Sequence, residues 1–123
     1  MTTLVEINTK ELEIKDTGGY LIVDREVFLL GTKTTTLGRH SGNDCVINGP
    51  YTSRRHATIE FVRGNYVIHD LQSTSGTFIN KKRIDSQVLT NGDIITLGKS
   101  PVIFMYDETD IFEKHEQETG GLP

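Results

Sequence analysis

The sequence predicts an all-β protein, an antiparallel β-sandwich of two twisted sheets with about 10–11 strands. Apolar and β-branched runs of four to seven residues recur along the chain, with turn residues between them. Ala57, Ile59 and Phe61 alternate with Thr58 and Glu60, which is the period of a strand with one buried face. Between residues 19 and 106 no stretch of ten residues sustains helical spacing.

These runs predict nine strands. Two shorter strands are indicated between the seventh and the eighth of them. The nine are 20–24, 27–30, 34–38, 45–47, 56–62, 66–70, 77–79, 93–97 and 102–106. The two shorter strands lie near 83–84 and 87–89. Many short strands at close spacing indicate a sandwich or a barrel.

Two turn segments carry the clearest hairpin signals. Arg63-Gly64-Asn65 separates two apolar runs and predicts a hairpin loop. Asn91-Gly92-Asp93 is the strongest such signal, because asparagine and glycine adopt positive φ at little cost.

The sequence predicts one domain at 19–107, and charged residues are unevenly distributed along the chain. The polar segment 1–18 is a tail, a helical turn or an added strand, and 108–123 is an acidic tail. The net charge is −4, yet segment 52–83 holds six basic and two acidic residues. Such a local basic surface fits a small anionic group better than a nucleic-acid duplex, so we expect no nucleic-acid partner.

Several function classes find no support in the composition. Cys45 is the only cysteine, and the four histidines lack metal-ligand spacing, so we expect no disulfide, metal or cofactor. No apolar run is long enough to cross a membrane, and the first residues do not resemble a secretory signal, so a cytoplasmic location is expected. A small enzyme using His56 or Asp70 as a base is disfavoured, because no paired acid or activated nucleophile accompanies them.

Three loop segments combine glycine or hydroxyl residues with strand ends. They are Gly38-Arg39-His40-Ser41-Gly42, Ser53-Arg54-Arg55-His56 and Ser73-Thr74-Ser75-Gly76-Thr77. Loops that are distant in sequence can converge at one end of a sandwich. We therefore expect these segments to form one apical binding surface.

The order of these segments resembles the forkhead-associated domain over about residues 20–107. The residues that carry the resemblance are Gly38-Arg39, Asn43-Asp44, Ser53-x-x-His56-Ala57, Asp70-x-x-Ser73-Thr74-x-Gly76-Thr77-Phe78-x-Asn80 and Asn91-Gly92-Asp93. The resemblance implies a two-sheet sandwich whose apical loops bind a phosphothreonine peptide. It predicts a phosphothreonine-dependent protein-binding module in signalling, which reads partners phosphorylated by a Ser/Thr kinase and has no catalytic activity.

The resemblance also assigns phosphate-binding roles. Arg39 would place its fork of donors on the phosphate, although a surface arginine could instead pair with Asp44. Ser53 would donate its hydroxyl, unless it is a turn serine that bonds its own backbone. Arg54 would add a second positive charge, with Arg55 as the next candidate.

The resemblance also gives the third loop segment, residues 73–77, a role in holding the phosphate. Thr74 would contribute its hydroxyl or its backbone N–H, and Gly76 would supply a tight turn. With Gly38 and Gly76, His56 would support the binding loops without touching the peptide. Phe78 is expected in the core.

The chain departs from the family pattern at two places. Ser75 stands where the family usually has an asparagine that bonds the peptide backbone, so we expect altered peptide selection with phosphate binding kept. Asn80 is followed by Lys81 rather than glycine. The basic run 81–83 either keeps an edge soluble or contacts acidic peptide residues.

Two further expectations concern partners. The partner is a phosphothreonine-containing protein, a Ser/Thr kinase or its substrate. The chain's own N-terminal segment, once phosphorylated at Thr2, Thr3, Thr9 or Thr17, is a further candidate. The main alternative is a phospho-independent scaffold or oligomerisation module of the same fold, a reading that Ser75 favours.

Overall fold

A computed structural model describes residues 18–107. The predicted extensions, 1–18 and 108–123, therefore lie outside the described residues except for Gly18. The described part contains eleven strands and no helix, so it offers no helix that could cross a membrane. The strands are β1 (Gly19–Val23), β2 (Glu26–Leu29), β3 (Thr35–Gly38), β4 (Cys45–Val46), β5 (Ala57–Val62), β6 (Asn65–Asp70), β7 (Thr77–Ile79), β8 (Lys82–Ile84), β9 (Ser86–Val88), β10 (Ile94–Leu97) and β11 (Ser100–Tyr106). Every predicted strand is present, with ends shifted by at most two residues.

The strands form two sheets, which confirms the predicted sandwich. One sheet has six strands in the order β2-β1-β11-β10-β7-β8, and the other has five in the order β4-β3-β5-β6-β9. All pairs are antiparallel except β3 and β4, which run parallel for two residues. The chain crosses between sheets several times, so loops from both sheets meet at the same ends.

The core lies between the inner faces of the two sheets. Leu21, Ile59, Ile68, Ile95 and Phe104 are each at most 1% exposed. Each lies at a position of its strand whose side chain points to the inner face, since side chains alternate between the two faces of a sheet. Each such side chain contributes about 1.5–3 kcal/mol through burial.

Phe78 does not belong to this core, so that prediction was wrong. Thr77 and Ile79 on either side of it point inward and are buried, and the alternation therefore turns Phe78 to the outer face, where it is half-buried. There it lies opposite Arg83 on β8 and Thr96 on β10.

The hairpin predicted at Arg63-Gly64 is confirmed. Both residues have positive φ, 51° and 83°, and they join the paired strands β5 and β6 in a two-residue turn. Asp24-Arg25 and Asn80-Lys81 form the same kind of turn between β1 and β2 and between β7 and β8. Such turns match the right-handed twist of the strands that they connect.

The hairpin predicted at Asn91-Gly92 was wrong. β9 pairs with β6 in one sheet, and β10 pairs with β7 and β11 in the other, so this segment crosses between sheets. Gly92 does have a positive φ of 88°. Asp93 accepts hydrogen bonds from the Thr90 N–H (2.8 Å) and the Asn80 amide (2.9 Å), which hold the crossing in place. Local turn preference was correct, but it does not determine which strands pair.

Candidate functional site

The three loop segments meet at one apex of the sandwich. The Arg39 N–H donates to the Ser53 carbonyl (3.0 Å), and the Thr74 N–H donates to the Ser53 hydroxyl (3.2 Å). The Gly98 N–H, in the turn between β10 and β11, donates to the Gly76 carbonyl (2.9 Å). Arg39, Ser53 and Thr74 are therefore neighbours, and hydrogen bonds between loops hold them together.

Gly38 allows the first two loops to approach each other. A β-carbon at Gly38 would collide with the Arg54 carbonyl and lie 2.8 Å from the Asn43 amide nitrogen. That amide donates to the carbonyls of Arg54 (2.7 Å) and His40 (2.9 Å). This role of Asn43 was not predicted, although short polar side chains that bond to nearby backbone are typical of such loops.

Arg39 is exposed but held by one side of its guanidinium. Its Nε donates to the Thr52 carbonyl (3.1 Å), and within residues 18–107 the two terminal nitrogens remain free donors. The alternative pairing with Asp44 is not formed. Asp44 instead accepts from the Thr36 N–H (2.9 Å) and the Thr36 hydroxyl (3.1 Å), which anchors the loop between β3 and β4.

Ser53 links the second and third loops. Its hydroxyl oxygen accepts from the Thr74 N–H, so the hydroxyl proton remains available to donate to a ligand. The alternative of a serine that bonds its own turn is not observed, because its partner lies 21 residues away. The Ser53 N–H donates to Nδ1 of His56 (3.0 Å).

His56 is completely buried beneath these loops. Because Nδ1 accepts from Ser53, the ring proton lies on Nε2, which donates to the Gly76 carbonyl (2.9 Å). Burial lowers the pKa of His56 and outweighs the opposing effects of the Gly76 hydrogen bond and the Asp70 charge. A neutral His56 thus connects the second loop to the third from below.

Asp70 organises the third loop, a role that sequence reasoning missed. Its carboxylate accepts from the hydroxyls of Ser73 (2.6 Å) and Thr77 (2.6 Å). The Ser73 hydroxyl in turn accepts from the Gly76 N–H (3.0 Å). Burial by itself raises the pKa of Asp70, but these hydrogen bonds outweigh it and the pKa lies below the ordinary value. A carboxylate held in this way is a poor general base. The sequence signal for this role is the D-x-x-S-T motif at residues 70–74.

The remaining predicted residues lie on the rim of the apex. Thr74 is exposed, Ser75 is half-buried, and Gly76 has a φ of 94° that disfavours any side chain. Arg54 and Arg55 are both exposed. The Arg54 carbonyl accepts from the His40 N–H (3.2 Å) and the Asn43 amide (2.7 Å), so the loop holds the backbone of Arg54 while its side chain stays exposed.

The described residues thus form an open two-sheet sandwich whose loops at one end carry an arginine, a serine and a threonine. The family model of the FHA domain, the forkhead-associated domain, matches residues 35–98, and the chain belongs to this family.

Curated proteins similar to this chain include bacterial regulators. The chain is 38% identical over 78 residues to the glycogen accumulation regulator GarA of Mycolicibacterium smegmatis, covering 63% of this chain and 49% of GarA. It is 40% identical over 78 residues to the oxoglutarate dehydrogenase inhibitor of Corynebacterium efficiens, covering 63% and 55%. The alignments thus span about half the length of these relatives.

Solved structures with the same fold include proteins studied with phosphorylated ligands. The structure of Mycobacterium tuberculosis EmbR in complex with a low-affinity phosphopeptide aligns with a TM-score of 0.69 at 29% identity, covering 86% of this chain and 30% of EmbR. A structure from work on phosphothreonine-dependent FHA domain interactions aligns with a TM-score of 0.68 at 28% identity, covering 71% and 94%.

Proposed function

We propose that this domain binds a phosphothreonine-containing segment of a partner protein and thereby reads the product of a Ser/Thr kinase in signalling. The observation that carries the proposal is the preassembled apex. The free guanidinium nitrogens of Arg39, the hydroxyl proton of Ser53 and the exposed hydroxyl of Thr74 lie on loops that are already hydrogen-bonded to one another.

The chemistry of these groups suits a phosphate monoester. Phosphothreonine carries nearly two negative charges and three acceptor oxygens. Arg39 offers a planar pair of donors that keeps its charge at all relevant pH values. Hydrogen bonds to charged groups contribute about 1.5–3 kcal/mol each. Because Arg39 and Ser53 are held before the ligand arrives, less ordering entropy is lost on binding.

The preference for threonine over serine belongs to the same proposal. Burial of the extra methyl group contributes only about 0.8 kcal/mol by area. A stronger preference requires the methyl group to orient the phosphate as well. The similar structure from work on phosphothreonine-dependent interactions supports threonine as the preferred residue.

Calorimetry with three otherwise identical peptides tests the proposal. We expect a dissociation constant in the micromolar range, about −8 kcal/mol, for the phosphothreonine peptide. The phosphoserine peptide should bind several times more weakly, and the unphosphorylated peptide should not bind measurably. A library of phosphothreonine sequences would supply the peptide. Equal binding of phosphorylated and unphosphorylated peptides would refute the proposal and favour the phospho-independent scaffold.

The chain's own N-terminal segment is a second ligand to test under the same proposal. Four threonines precede the described residues, and each has a hydroxyl that a Ser/Thr kinase can phosphorylate. They are Thr2, Thr3, Thr9 and Thr17. A phosphorylated tail bound at the apex would compete with partner peptides. Tail-phosphorylated protein should then bind a reference phosphopeptide more weakly than protein lacking residues 1–17. Equal affinity of the two forms would exclude this mode of regulation.

A further inference from the structure

Arg83 is the basic residue of the run 81–83 that the fold directs toward the apex. The two-residue turn at Asn80-Lys81 sets the register of β8, so Arg83 lies opposite Phe78 and Lys82 lies opposite Ile79. Because Ile79 points into the core and Phe78 points outward, Arg83 and Lys82 project to opposite sides of the sheet. Both are exposed.

The guanidinium of Arg83 packs against Gly76. A β-carbon at Gly76 would lie 3.0 Å from Nε and 3.1 Å from Cζ of Arg83. Gly76 is the residue whose carbonyl accepts from His56 and Gly98, and it directly follows Ser75. Arg83 thus lies against the third loop at the rim of the site, with its Nε and Cζ beside Gly76, and remains exposed.

Within residues 18–107 no aspartate or glutamate oxygen lies in salt-bridge contact with the Arg83 guanidinium, and the one contact of that type is between His69 Nε2 and Glu60 Oε1 (3.0 Å). The carboxylate of Asp70, in the third loop, is occupied by the hydroxyls of Ser73 and Thr77. The guanidinium therefore presents unpaired donors beside Ser75, where the family's asparagine amide is missing.

From this placement we infer that Arg83 determines sequence specificity by binding an aspartate or glutamate side chain of the ligand, next to the phosphothreonine, where the peptide passes Ser75 and Gly76. The inference rests on the proposed phosphothreonine binding and names the class of peptide that the same site selects. Guanidinium pairs well with carboxylate, since its donors match the two oxygens. Lys82, which projects to the opposite side, takes no part.

A positional scan of one phosphothreonine peptide tests this role. A single aspartate is moved through the positions flanking the phosphothreonine in an otherwise alanine background, and affinities are measured by fluorescence anisotropy. We expect one position, or two neighbouring ones, to bind about three- to fivefold more tightly, as an exposed charge pair allows. The gain should shrink in 0.5 M salt, because salt screens exposed charges.

Two variants separate the possible causes. Arg83→Ala should remove the gain from aspartate and leave the affinity for the all-alanine phosphopeptide within about twofold. Lys82→Ala, the matched control, should keep both. A scan without a preferred position, or a preference that survives Arg83→Ala, would overturn the inference while phosphate-dependent binding stands. Failure of the all-alanine phosphopeptide and of every scanned phosphopeptide to bind wild-type protein would instead refute the proposed function, and the role of Arg83 with it.

Discussion

The Nε2 of His56 donates a 2.9 Å hydrogen bond to the carbonyl of Gly76, and this contact joins the second loop of the apex to the third. The other ring nitrogen of His56 accepts from the Ser53 N–H. One buried imidazole thus sets the separation between the loops that carry Ser53 and Thr74. The arrangement of the proposed binding surface therefore depends on a side chain that is itself completely buried.

We expect His56→Ala to lower the free energy of unfolding by about 2–4 kcal/mol, since it leaves a cavity and removes partners from the Ser53 N–H and the Gly76 carbonyl. Urea denaturation measures the loss. His69→Ala is the control, because His69 makes only partly exposed contacts with Glu60 and Ser86 and its removal should cost at most about 1 kcal/mol. Similar losses in the two variants would contradict the bridging role of His56.

The stability of the domain should fall on acidification in two steps. The folded pKa of His56 lies below its ordinary value of 6.5, so the unfolded chain binds the proton first and stability declines as the pH falls below about 6.5. The folded pKa of Asp70 lies below its ordinary value of 3.8, so its contribution is present above that pH and is lost as the pH falls through the folded pKa.

Denaturation at pH 7.5 and pH 5.5 isolates the first step. Wild-type protein should be less stable at the lower pH, and the His56→Ala variant should show a smaller difference between the two conditions. An unchanged difference in the variant would assign the pH dependence to another group.

Arg39→Ala should weaken phosphopeptide binding at least tenfold, because it removes the charge-assisted donors, while the exposed position of Arg39 leaves the fold intact. Calorimetry measures the affinity, and circular dichroism checks the fold. Lys33→Ala removes an exposed positive charge before β3, at the far end of that strand from Arg39, and should bind as wild type does. Full affinity in Arg39→Ala would rule out its proposed role.

Gly38→Ala should destabilise the apex, because the new β-carbon would collide with the Arg54 carbonyl and force the first two loops apart. We expect a loss of about 1–3 kcal/mol in unfolding free energy together with weaker phosphopeptide binding. Gly31→Ala is the matched control, since its β-carbon would meet nothing within 4 Å, and it should be neutral or slightly stabilising. Equal stability of the two variants would contradict the close approach.

Ser75→Asn should strengthen phosphopeptide binding several-fold. The longer amide can donate to and accept from a peptide backbone, and one such hydrogen bond contributes about 0.5–1.5 kcal/mol. Calorimetry with one phosphopeptide compares the affinities of wild type and Ser75→Asn. Ser75→Ala is the control for the loss of the hydroxyl. An unchanged affinity in Ser75→Asn would mean that the peptide backbone does not pass this position.

The sequence by itself determined the strands and the identity of the loop residues. Alternation such as that of Ala57, Ile59 and Phe61 is a local property, and so is the positive φ of Arg63-Gly64, so both could be predicted from neighbouring residues. The order of the three loop segments likewise indicated that Arg39, Ser53 and Thr74 belong to one surface.

The tertiary structure alone decided which elements face one another. Asn91-Gly92 has the local conformation of a turn, yet it joins two sheets, because strand pairing depends on the packing of distant strands. Phe78 points outward because its neighbours Thr77 and Ile79 occupy the inner face. The contacts of Asp70 with Ser73 and Thr77 and of Arg83 with Gly76 depend on hydrogen-bond and packing geometry within and between strands. Sequence patterns report the period of each strand, whereas contacts across the fold arise only when those strands are packed together.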